Sequence, residues 1–400
     1  FPPGWAALLA AGFLLSIPWL VSPLLSALAG WGLFLLLREN GEDGRPALYT
    51  ALLFALTPWV VFNAAAWMNH MPAVCFIVLG SAALVRGIQR PAEWIWPGLG
   101  AASLGMATLI RPMDGVAFGL PATVSMAPRA VRNPDARRGL VSFALGGALL
   151  VGLQFAYNWV QHGGPFLFGF EAQWGAEHGL GFHEAPWGAS HTVVRGVELM
   201  NGYLLTLQML LFDAPAPSLL PALAALLLVR RLDGLDRYLL AASALLLLGY
   251  LSYWGEGHHL GPRYLLPLAP VVAIWTARLG RVLADRFEGK LWHRWGNAVV
   301  VLLLVGGWIF GTPERWSFYR EIYPLRRLDA LALTSPQVDR ALVFVPTTWS
   351  NQVEARLWAT GMPRLQAQWL LGRISLCRLE LALSDLEGNE ITDPSEVTTR

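Results

Sequence analysis

Long apolar runs separated by short polar stretches recur along most of the chain. The runs repeat at spacings of roughly 20 residues, which is the length a helix needs to cross about 30 Å of hydrocarbon. The pattern therefore predicts ten membrane-spanning helices, of which the two on either side of Arg111-Pro112 are short. The predicted spans lie near 19–37, 47–65, 70–86, 94–110, 112–126, 140–158, 217–231, 238–254, 263–283 and 297–312.

Basic residues concentrate in alternate connections between these runs. Five connections hold 16 of the 29 Lys and Arg residues, and they lie at 38–46, 86–92, 127–139, 230–237 and 278–296. Short loops rich in Lys and Arg stay in the cytoplasm, so these five connections are predicted to be cytoplasmic. The intervening connections at 66–70, 111, 158–216 and 255–263 carry only Arg111, Arg195 and Arg263, and are predicted to face outward.

The composition excludes a single water-soluble core. The chain is 55% hydrophobic and 14% charged, contains 19 Trp and has a mean hydropathy of +0.45, which indicates a polytopic membrane protein. Topology accounts for most of the basic residues, so a net charge of +2 predicts no nucleic-acid partner. Cys75 lies in a predicted span and Cys377 in the tail, and no disulfide is expected between them.

Both ends of the chain depart from the repeating pattern. The sequence opens on Phe1 without Met or a basic n-region, so the first apolar run is not predicted to be a signal peptide, and an N-terminal truncation is expected. Hydrophobicity falls from Thr312 onward, which predicts a membrane domain at 1–312 and a small outward domain at 313–400. Because 341–346 has the pattern of a buried strand and 350–361 that of a helix closed by Gly361, this domain is predicted to be a small α/β module.

The segment GEGHHLGPRYLLPLAP at 255–270 concentrates chemistry at the entrance to a predicted span. Arg263 and Tyr264 begin an apolar, proline-punctuated stretch, and Glu256, His258 and His259 directly precede them. An arginine in this position can bind a phosphate at a membrane surface. The alternative is an interfacial anchor whose stem snorkels along the span. Phosphate binding is favoured because the positive-inside rule makes an outward arginine unusual.

The long outward connection at 158–216 is also a candidate part of a site, since loops of this length are usually functional. It contains Glu171, Glu177 and Glu184, and its segment HTVVRGVELMNGYLL predicts an amphipathic helix lying in the membrane interface. Seven of the eight histidines fall on the predicted outward face, without a spacing typical of zinc sites. The alternative is that histidine merely suits a wet, aromatic-rich interface. The seven are His70, His162, His178, His183, His191, His258 and His259.

Other outward polar and aromatic residues have two interpretations each. Arg111 is a second candidate for phosphate, although Pro112 by itself explains the helix break and Asp114 is a possible ion-pair partner. Asn69 and His70 are placed to touch sugar or acceptor, although a turn needs polar residues in any case. Four aromatic residues either line a groove or belong to an interfacial belt; they are Phe166, Phe168, Phe170 and Trp174.

Six segments taken together resemble a known family. They are FPPGW at 1–5, PWLVSPLLSAL at 18–28, MNHMPA at 68–73, LIRPMDG at 109–115, YNWVQHGGPFLFGF at 157–170 and GPRYLLPLAP at 261–270. In order and spacing the chain resembles bacterial GT-C fold glycosyltransferases over residues 1 to about 312. The nearest pattern is that of the protein-mannosyltransferase-like and aminoarabinose-transferase-like enzymes, which use polyprenyl-phosphate sugars.

The resemblance implies an inverting sugar transfer at the outer face of the membrane. It places the catalytic carboxylate in a first external loop that would precede Phe1, so residues 1–400 are expected to lack the catalytic base. Glu171, Glu177, Glu184 and Glu256 are weak substitutes. The lipid phosphate leaves as an anion, so the site needs fixed positive charge rather than a general acid. Arg263 fits that role, and Tyr264, His258 and His259 are expected to donate further hydrogen bonds.

The sequence thus predicts an all-α polytopic enzyme of the bacterial inner membrane with its active site facing the periplasm. The expected partners are a polyprenyl-phosphate-linked sugar, a glycan, lipid or protein acceptor, and membrane lipids. No cofactor is implied, although the outward carboxylates are compatible with a divalent metal ion. The rival interpretation is a transporter or flippase of lipid-linked sugars, which is expected to show internal repeats and charge pairs deep in the spans. The sequence shows neither. A non-enzymatic scaffold leaves the outward Arg, His and Glu residues unexplained.

Overall fold

The computed structural model describes residues 2–175, 179–184, 190–255, 257–322 and 349–388. Contacts between residues divide the chain into two compact units, Phe1–Thr312 and Pro313–Arg400. The described helices are α1 (Pro3–Leu14), α2 (Pro18–Glu39), α3 (Gly44–Ala55), α4 (Pro58–Ala65), α5 (His70–Gln89), α6 (Ile95–Ile110), α7 (Pro112–Arg132), α8 (Pro134–His162), α9 (Gly169–Trp174), α10 (Val193–Leu210), α11 (Leu220–Leu228), α12 (Gly234–Leu251), α13 (Ala269–Phe287), α14 (Lys290–Gly306), α15 (Thr312–Ile322), α16 (Trp349–Ala359), α17 (Arg364–Arg373) and α18 (Leu376–Gly388). A 3₁₀ helix, Arg263–Leu268, leads into α13, and a π-helical turn, Gly307–Gly311, follows α14.

Six helical segments within the described residues are long and apolar enough to cross a membrane. A seventh is added if α3 and α4, which are bent by 58° at the break before Pro58, count as one span. This helical membrane protein therefore has fewer qualifying spans than the ten predicted. The six segments are Pro18–Glu39, His70–Gln89, Pro134–His162, Gly234–Leu251, Arg263–Phe287 and Lys290–Tyr319.

With α3 and α4 counted as one bent span, three predicted spans account for the difference between ten and seven. The run at 94–110 forms α6, which has 16 residues, and the run at 217–231 contains only the nine residues of α11. The run at 112–126 belongs to α7, which is long enough at 21 residues but carries Asp114, Arg129 and Arg132. An apolar run in a sequence does not reveal where its helix ends, so the pattern overestimates the number of full spans.

The described contacts join four of the five basic connections at one end of the first unit. Arg86 forms an ion pair with Glu39 at 3.3 Å. Arg278 on α13 contacts Glu42 at 2.6 Å and Asp236 at 2.5 Å. These contacts connect 38–46, 86–92, 230–237 and 278–296. All three members of the Arg278 ion cluster are at least nine-tenths buried, and all three lie in predicted cytoplasmic connections at helix ends.

The predicted outward connections meet at another set of helix ends. The side chain of Asn69 contacts Arg111, and His191 lies 3.2 Å from the carbonyl oxygen of Leu251 at the end of α12. The helix α10 lies along this region: Gly196 near its start packs against the carbonyl of Leu251, and Leu211, which follows its last residue, accepts a hydrogen bond from the backbone of Trp59. The predicted amphipathic helix in the connection 158–216 is thus present, and it packs across helix ends instead of qualifying as a span.

The described part of the second unit is helical. The helices α16, α17 and α18 pack around a small apolar core, and Arg356 forms an ion pair with Glu380. The predicted helix at 350–361 is confirmed as α16, followed by Gly361 with a left-handed φ of 86°. The predicted strand at 341–346 lies outside the described residues, so an α/β module stays a prediction. The core consists of Val353, Leu357, Met362, Ala367, Leu370, Leu379 and Leu383.

Candidate functional site

A buried hydrogen-bond network forms around Arg111 at the break between α6 and α7. The guanidinium donates from Nε to Asp114 Oδ2 at 2.7 Å, from Nη1 to Asn69 Oδ1 at 3.2 Å and from Nη2 to the hydroxyl of Tyr250 at 2.6 Å. Tyr250 in turn donates to Asp114 Oδ1 at 2.5 Å. Both oxygens of Asp114, whose side chain is fully buried, are therefore occupied. We call Arg111, Asp114, Tyr250 and Asn69 the Arg111 network.

The local sequence creates this network. Pro112 begins α7 and holds Arg111 in an extended conformation, with φ of −146° and ψ of 95°, so α6 ends at Ile110. Asp114 falls in the first turn of α7, where the helix dipole favours a carboxylate. Burial, the largest single effect, would lower the pKa of Arg111, but Asp114, Tyr250 and Tyr264 together outweigh it, and the net effect is a raised pKa. Arg111 and Asp114 thus form a buried ion pair with little net charge.

An aromatic cluster surrounds Tyr264, which is 8% exposed. The ring of Tyr250 stacks on the ring of Tyr264, with centroids 4.6 Å apart and planes 3° from parallel. Tyr253 meets it edge-on at 5.6 Å and Tyr203 at 6.1 Å. His70 stacks beside it at 6.3 Å. We call these five residues the Tyr264 cluster, and Tyr250 belongs both to it and to the Arg111 network.

Arg263 lies on the Tyr264 cluster with a different set of partners. Its guanidinium carbon is 5.3 Å from the centroid of Tyr264, a cation–π contact. Its backbone nitrogen donates to the carbonyls of Gly257 and Gly261 at 3.0 and 2.9 Å. Its Nε is buried without a hydrogen-bond partner among the described residues, and no carboxylate of those residues lies within ion-pair distance of it. Unlike Arg111, Arg263 therefore keeps an uncompensated positive charge within the described part of the site.

The loop before Arg263 is held from the side by α10. The hydroxyl of Tyr203 donates to the carbonyl of Gly255 at 3.1 Å and accepts from the nitrogen of Gly257 at 2.8 Å. Leu260 and Gly261 both have left-handed φ values, 52° and 99°, and the indole of Trp59 donates to the carbonyl of Leu260 at 2.8 Å. The tight turn that positions Arg263 therefore depends on glycine at 261.

The three candidate histidines differ in their surroundings. His258 is exposed and lies 3.2 Å from the hydroxyl of Thr206 on α10. His259 is partly buried, and burial together with the positive charge of Arg263 lowers its pKa below the usual range. His70 is the first residue of α5 and only 2% exposed, and neither of its ring nitrogens has a hydrogen-bond partner among the described residues.

The structure gathers seven predicted residues, and the contacts it describes for the weak catalytic candidates Glu171 and Glu184 lie elsewhere. The contacts described above link the seven predicted residues, which are Arg263, Tyr264, His258, His259, Arg111, Asn69 and His70. Glu171 instead caps the start of α9 by accepting from the nitrogen of Phe168 at 3.3 Å, and Glu184 is exposed. Glu177 and Glu256 lie outside the described residues. Three further members of the site, Tyr203, Tyr250 and Tyr253, are not predicted from the sequence, since a tyrosine near the end of an apolar run carries no distinguishing pattern.

An apolar cavity lies next to this site in the first unit. Leu268 lines it and ends the 3₁₀ helix that Arg263 begins, about 10 Å further along the helix at about 2 Å per residue. Leu204 and Leu207 line it from α10, adjacent in sequence to Tyr203 and Thr206. Nearly all the lining side chains are apolar. Besides Leu204, Leu207 and Leu268, the residues that line the cavity are Leu219, Ala222, Leu223, Leu226, Leu240, Ser243, Val271, Val272 and Trp275.

Comparisons with known proteins give one structural likeness. No family model and no curated protein matches the chain. The fold is similar to the crystal structure of the Archaeoglobus fulgidus oligosaccharyltransferase complex with zinc and sulfate, at 15% sequence identity and a TM-score of 0.45. That match covers 86% of this chain and 50% of the other, so the chain spans about half of that protein's length. Among the described residues of this chain, no group of three His, Cys, Asp or Glu side chains is arranged to hold a metal ion.

Proposed function

We propose that the protein is a membrane glycosyltransferase of the GT-C fold, and that it transfers a sugar from a polyprenyl-phosphate donor to an acceptor at the periplasmic face of the bacterial inner membrane. The acceptor belongs to the glycans, lipids or proteins. The observation that carries this proposal is the guanidinium of Arg263, which is held on the ring of Tyr264 without a carboxylate partner among the described residues.

An uncompensated guanidinium in a partly buried position favours an anionic ligand. A phosphate about 4 Å from such a charge, at an effective dielectric near 20, is attracted by roughly 4 kcal/mol before desolvation is subtracted. The planar guanidinium also matches two phosphate oxygens at once. His258 and His259 adjoin Arg263 in the same loop and are proposed as additional hydrogen-bond donors to the phosphate.

The neighbouring cavity supports a lipid-linked anion over a soluble one. A polyprenyl phosphate combines an anionic head with an apolar chain, and here a cationic side chain and an apolar cavity share one 3₁₀ helix. A soluble sugar phosphate would gain nothing from burying leucine and valine side chains. We therefore propose that the phosphate lies at Arg263 and that the first part of the carrier chain enters the cavity.

The proposed chemistry assigns different tasks to the charged groups. Negative charge on the phosphate grows as the sugar departs, so Arg263 stabilises the transition state more than the bound donor. Asp114 is unsuited to deprotonating the acceptor hydroxyl, because both of its oxygens already accept hydrogen bonds. Glu171 caps α9. The general base is accordingly proposed to come from outside the Arg111 network and the Tyr264 cluster.

Substitution of Arg263 tests the proposal. Proteoliposomes of the full-length protein are supplied with a panel of undecaprenyl-phosphate sugars together with candidate glycan, lipid and protein acceptors, and release of undecaprenyl phosphate is followed by mass spectrometry. Arg263→Ala is expected to reduce turnover per molecule by about 100-fold, the size of a lost oxyanion-type contact, and to weaken donor binding less. Arg263→Lys is expected to restore part of the rate, since it keeps the charge without the planar fork.

Arg195 provides the matched control. It is an exposed arginine on α10 that pairs with Glu198 at 3.3 Å, so Arg195→Ala removes an outward positive charge away from the Tyr264 cluster. Its turnover is expected to equal that of the wild type. Unchanged turnover in Arg263→Ala would remove Arg263 from the site. Movement of a fluorescent lipid-linked sugar across the bilayer without release of undecaprenyl phosphate would support the rival transporter function instead.

A further inference from the structure

We infer that Arg111, Asp114 and Tyr250 are positioning residues: they form a charge-neutral buried unit that fixes the ring of Tyr264 and thereby aims the guanidinium of Arg263, without contacting the ligand themselves. This inference rests on the proposed role of Arg263 in phosphate binding. It assigns opposite tasks to the two arginines that the sequence makes equal candidates for that role.

The first step is that the three residues are fully engaged with one another. Arg111 uses three of its nitrogens as donors, to Asp114, Asn69 and Tyr250, and Asp114 accepts through both oxygens. Their exposure is small: 11% for the side chain of Arg111, none for that of Asp114 and 5% for Tyr250. A phosphate at Arg111 would have to compete with a buried carboxylate 2.7 Å away.

The second step is the transmission from Tyr250 to Tyr264. The hydroxyl of Tyr250 is held between Arg111 and Asp114, so the ring has a single orientation. The ring of Tyr264 lies flat on it at 4.6 Å. On another side, a Cβ atom added to Gly257 would collide with the ring of Tyr264. Tyr264 therefore has little freedom to tilt away from Tyr250.

The third step leads from Tyr264 to Arg263. The guanidinium of Arg263 rests on this ring at 5.3 Å, and the described residues provide no hydrogen-bond partner for its Nε and no carboxylate to orient it. The aromatic face is therefore the main contact that orients the side chain among the described residues. A cationic group needs such support to meet a phosphate in bidentate geometry, because a misplacement of about 1 Å can cost roughly 100-fold in rate.

A double-mutant cycle tests the inference. Tyr250→Phe keeps the stacked ring and removes the hydroxyl that bonds Arg111 and Asp114. The full-length protein in nanodiscs is titrated with undecaprenyl phosphate, and the dissociation constant is measured for wild type, Tyr250→Phe, Arg263→Ala and the double variant. Tyr250→Phe is expected to weaken binding about tenfold in the wild-type background, the size of one charge-assisted hydrogen bond, and less than about twofold in the Arg263→Ala background.

Two further variants make the cycle specific. Tyr238 lies on the same helix, is 4% exposed and shares a hydrogen bond with Ser81 at 3.0 Å, so Tyr238→Phe removes a buried tyrosine hydroxyl far from Tyr264 and is expected to leave binding unchanged. Asn69→Ala disturbs the same unit at another atom, because it removes the bond that Arg111 donates from Nη1 and leaves the charges of Arg111 and Asp114 in place. It is expected to reproduce the Tyr250→Phe pattern and serves in its place if that variant does not fold.

The outcomes separate this inference from the proposed function. If Arg263→Ala binds undecaprenyl phosphate as the wild type does, the proposed function fails, and the positioning role fails with it. If Arg263→Ala weakens binding but Tyr250→Phe has equal effects in both backgrounds, Arg263 stays in the site and the positioning role is overturned. An equal loss in Tyr238→Phe would also overturn it, because the effect would then belong to any buried hydroxyl of α12.

Discussion

At the scale of single residues, the partners of a side chain decide its task more than its chemical type does. Arg111 and Arg263 both lie at helix ends that are predicted to face outward, and both contact Tyr264, with guanidinium carbons 5.4 and 5.3 Å from its centroid. Arg111 has a buried carboxylate at 2.7 Å. Arg263 has none among the described residues, which is why Arg263 and not Arg111 is proposed to bind the phosphate.

The pKa of His259 gives a prediction at this scale. Burial and the charge of Arg263 lower that pKa, so the free protein holds His259 neutral at pH values where an unfolded histidine is already protonated. By itself, the lowered pKa of His259 reduces the stability of the folded, ligand-free protein as the pH falls below about 6.5. A bound phosphate reverses the sign, because an anion favours the protonated ring and raises the pKa. Binding then takes up a proton, and it strengthens as the pH falls.

The measurement compares wild type with His259→Gln. The dissociation constant for undecaprenyl phosphate is determined for both proteins at pH 7.5 and at pH 5.5. The ratio of the two dissociation constants at each pH removes the effect of the titration of the phosphate itself. The advantage of the wild type is expected to grow several-fold at the lower pH. His293→Gln, an exposed substitution on α14, is expected to show no such change. A ratio independent of pH would exclude His259 from the phosphate site.

At the scale of elements, close backbone contacts hold α10 across the helix ends. Gly196 packs directly against the carbonyl of Leu251 at the end of α12, whereas Gly202 on the same helix has open space around it. Tyr203 follows Gly202 on this helix, and its hydroxyl forms hydrogen bonds with Gly255 and Gly257 in the loop before Arg263. A displacement of α10 would therefore also move the loop that carries Arg263.

The same substitution at these two glycines is expected to have opposite effects. Gly196→Ala places a methyl group against a backbone carbonyl, and we expect a loss of about 1–3 kcal/mol in stability. Gly202→Ala adds helix propensity without a clash, and we expect a gain of about 0.5–1 kcal/mol. Thermal unfolding in detergent, followed by tryptophan fluorescence, provides the comparison. Equal melting temperatures for the two variants would contradict the observed packing of α10.

At the scale of the whole membrane unit, the chemistry is divided between two sets of helix ends. One holds the ion pairs of Arg86 and Arg278, and the other holds the Arg111 network and the Tyr264 cluster. Contacts within the protein thus group four basic connections together. The positive-inside rule turns this grouping into a prediction that the basic end is cytoplasmic.

Cysteine labelling in intact cells tests that orientation. With Cys377 replaced by Ser and the fully buried Cys75 retained, a membrane-impermeant maleimide is expected to label Glu198→Cys on α10. Arg45→Cys, in an exposed position of the connection 38–46, is expected to react only after the membrane is opened. The reverse pattern would place the Tyr264 cluster in the cytoplasm and contradict transfer at the periplasmic face.

The sequence by itself determined the features that depend on local composition. Apolar runs identified a helical membrane protein, because a helix in lipid must satisfy its own backbone and present apolar side chains. Pro112 marked the break between α6 and α7, because proline suits the first turn of a helix. The segment around Arg263 stood out because a cation and two histidines precede an apolar stretch. Four of the seven predicted site residues lie in this segment, and the tertiary structure brings Asn69, His70 and Arg111 to them.

Only the tertiary structure decided which residues bond to one another. Tyr250 lies 139 residues from Arg111, and no local pattern announces that its hydroxyl completes the bonding of Asp114. The burial of His70 and the number of helices long enough to span likewise depend on how the helices pack. The physical reason is that hydrogen bonds and ring contacts act over a few ångströms. They are therefore set by neighbours in space, which the order of residues along the chain does not specify.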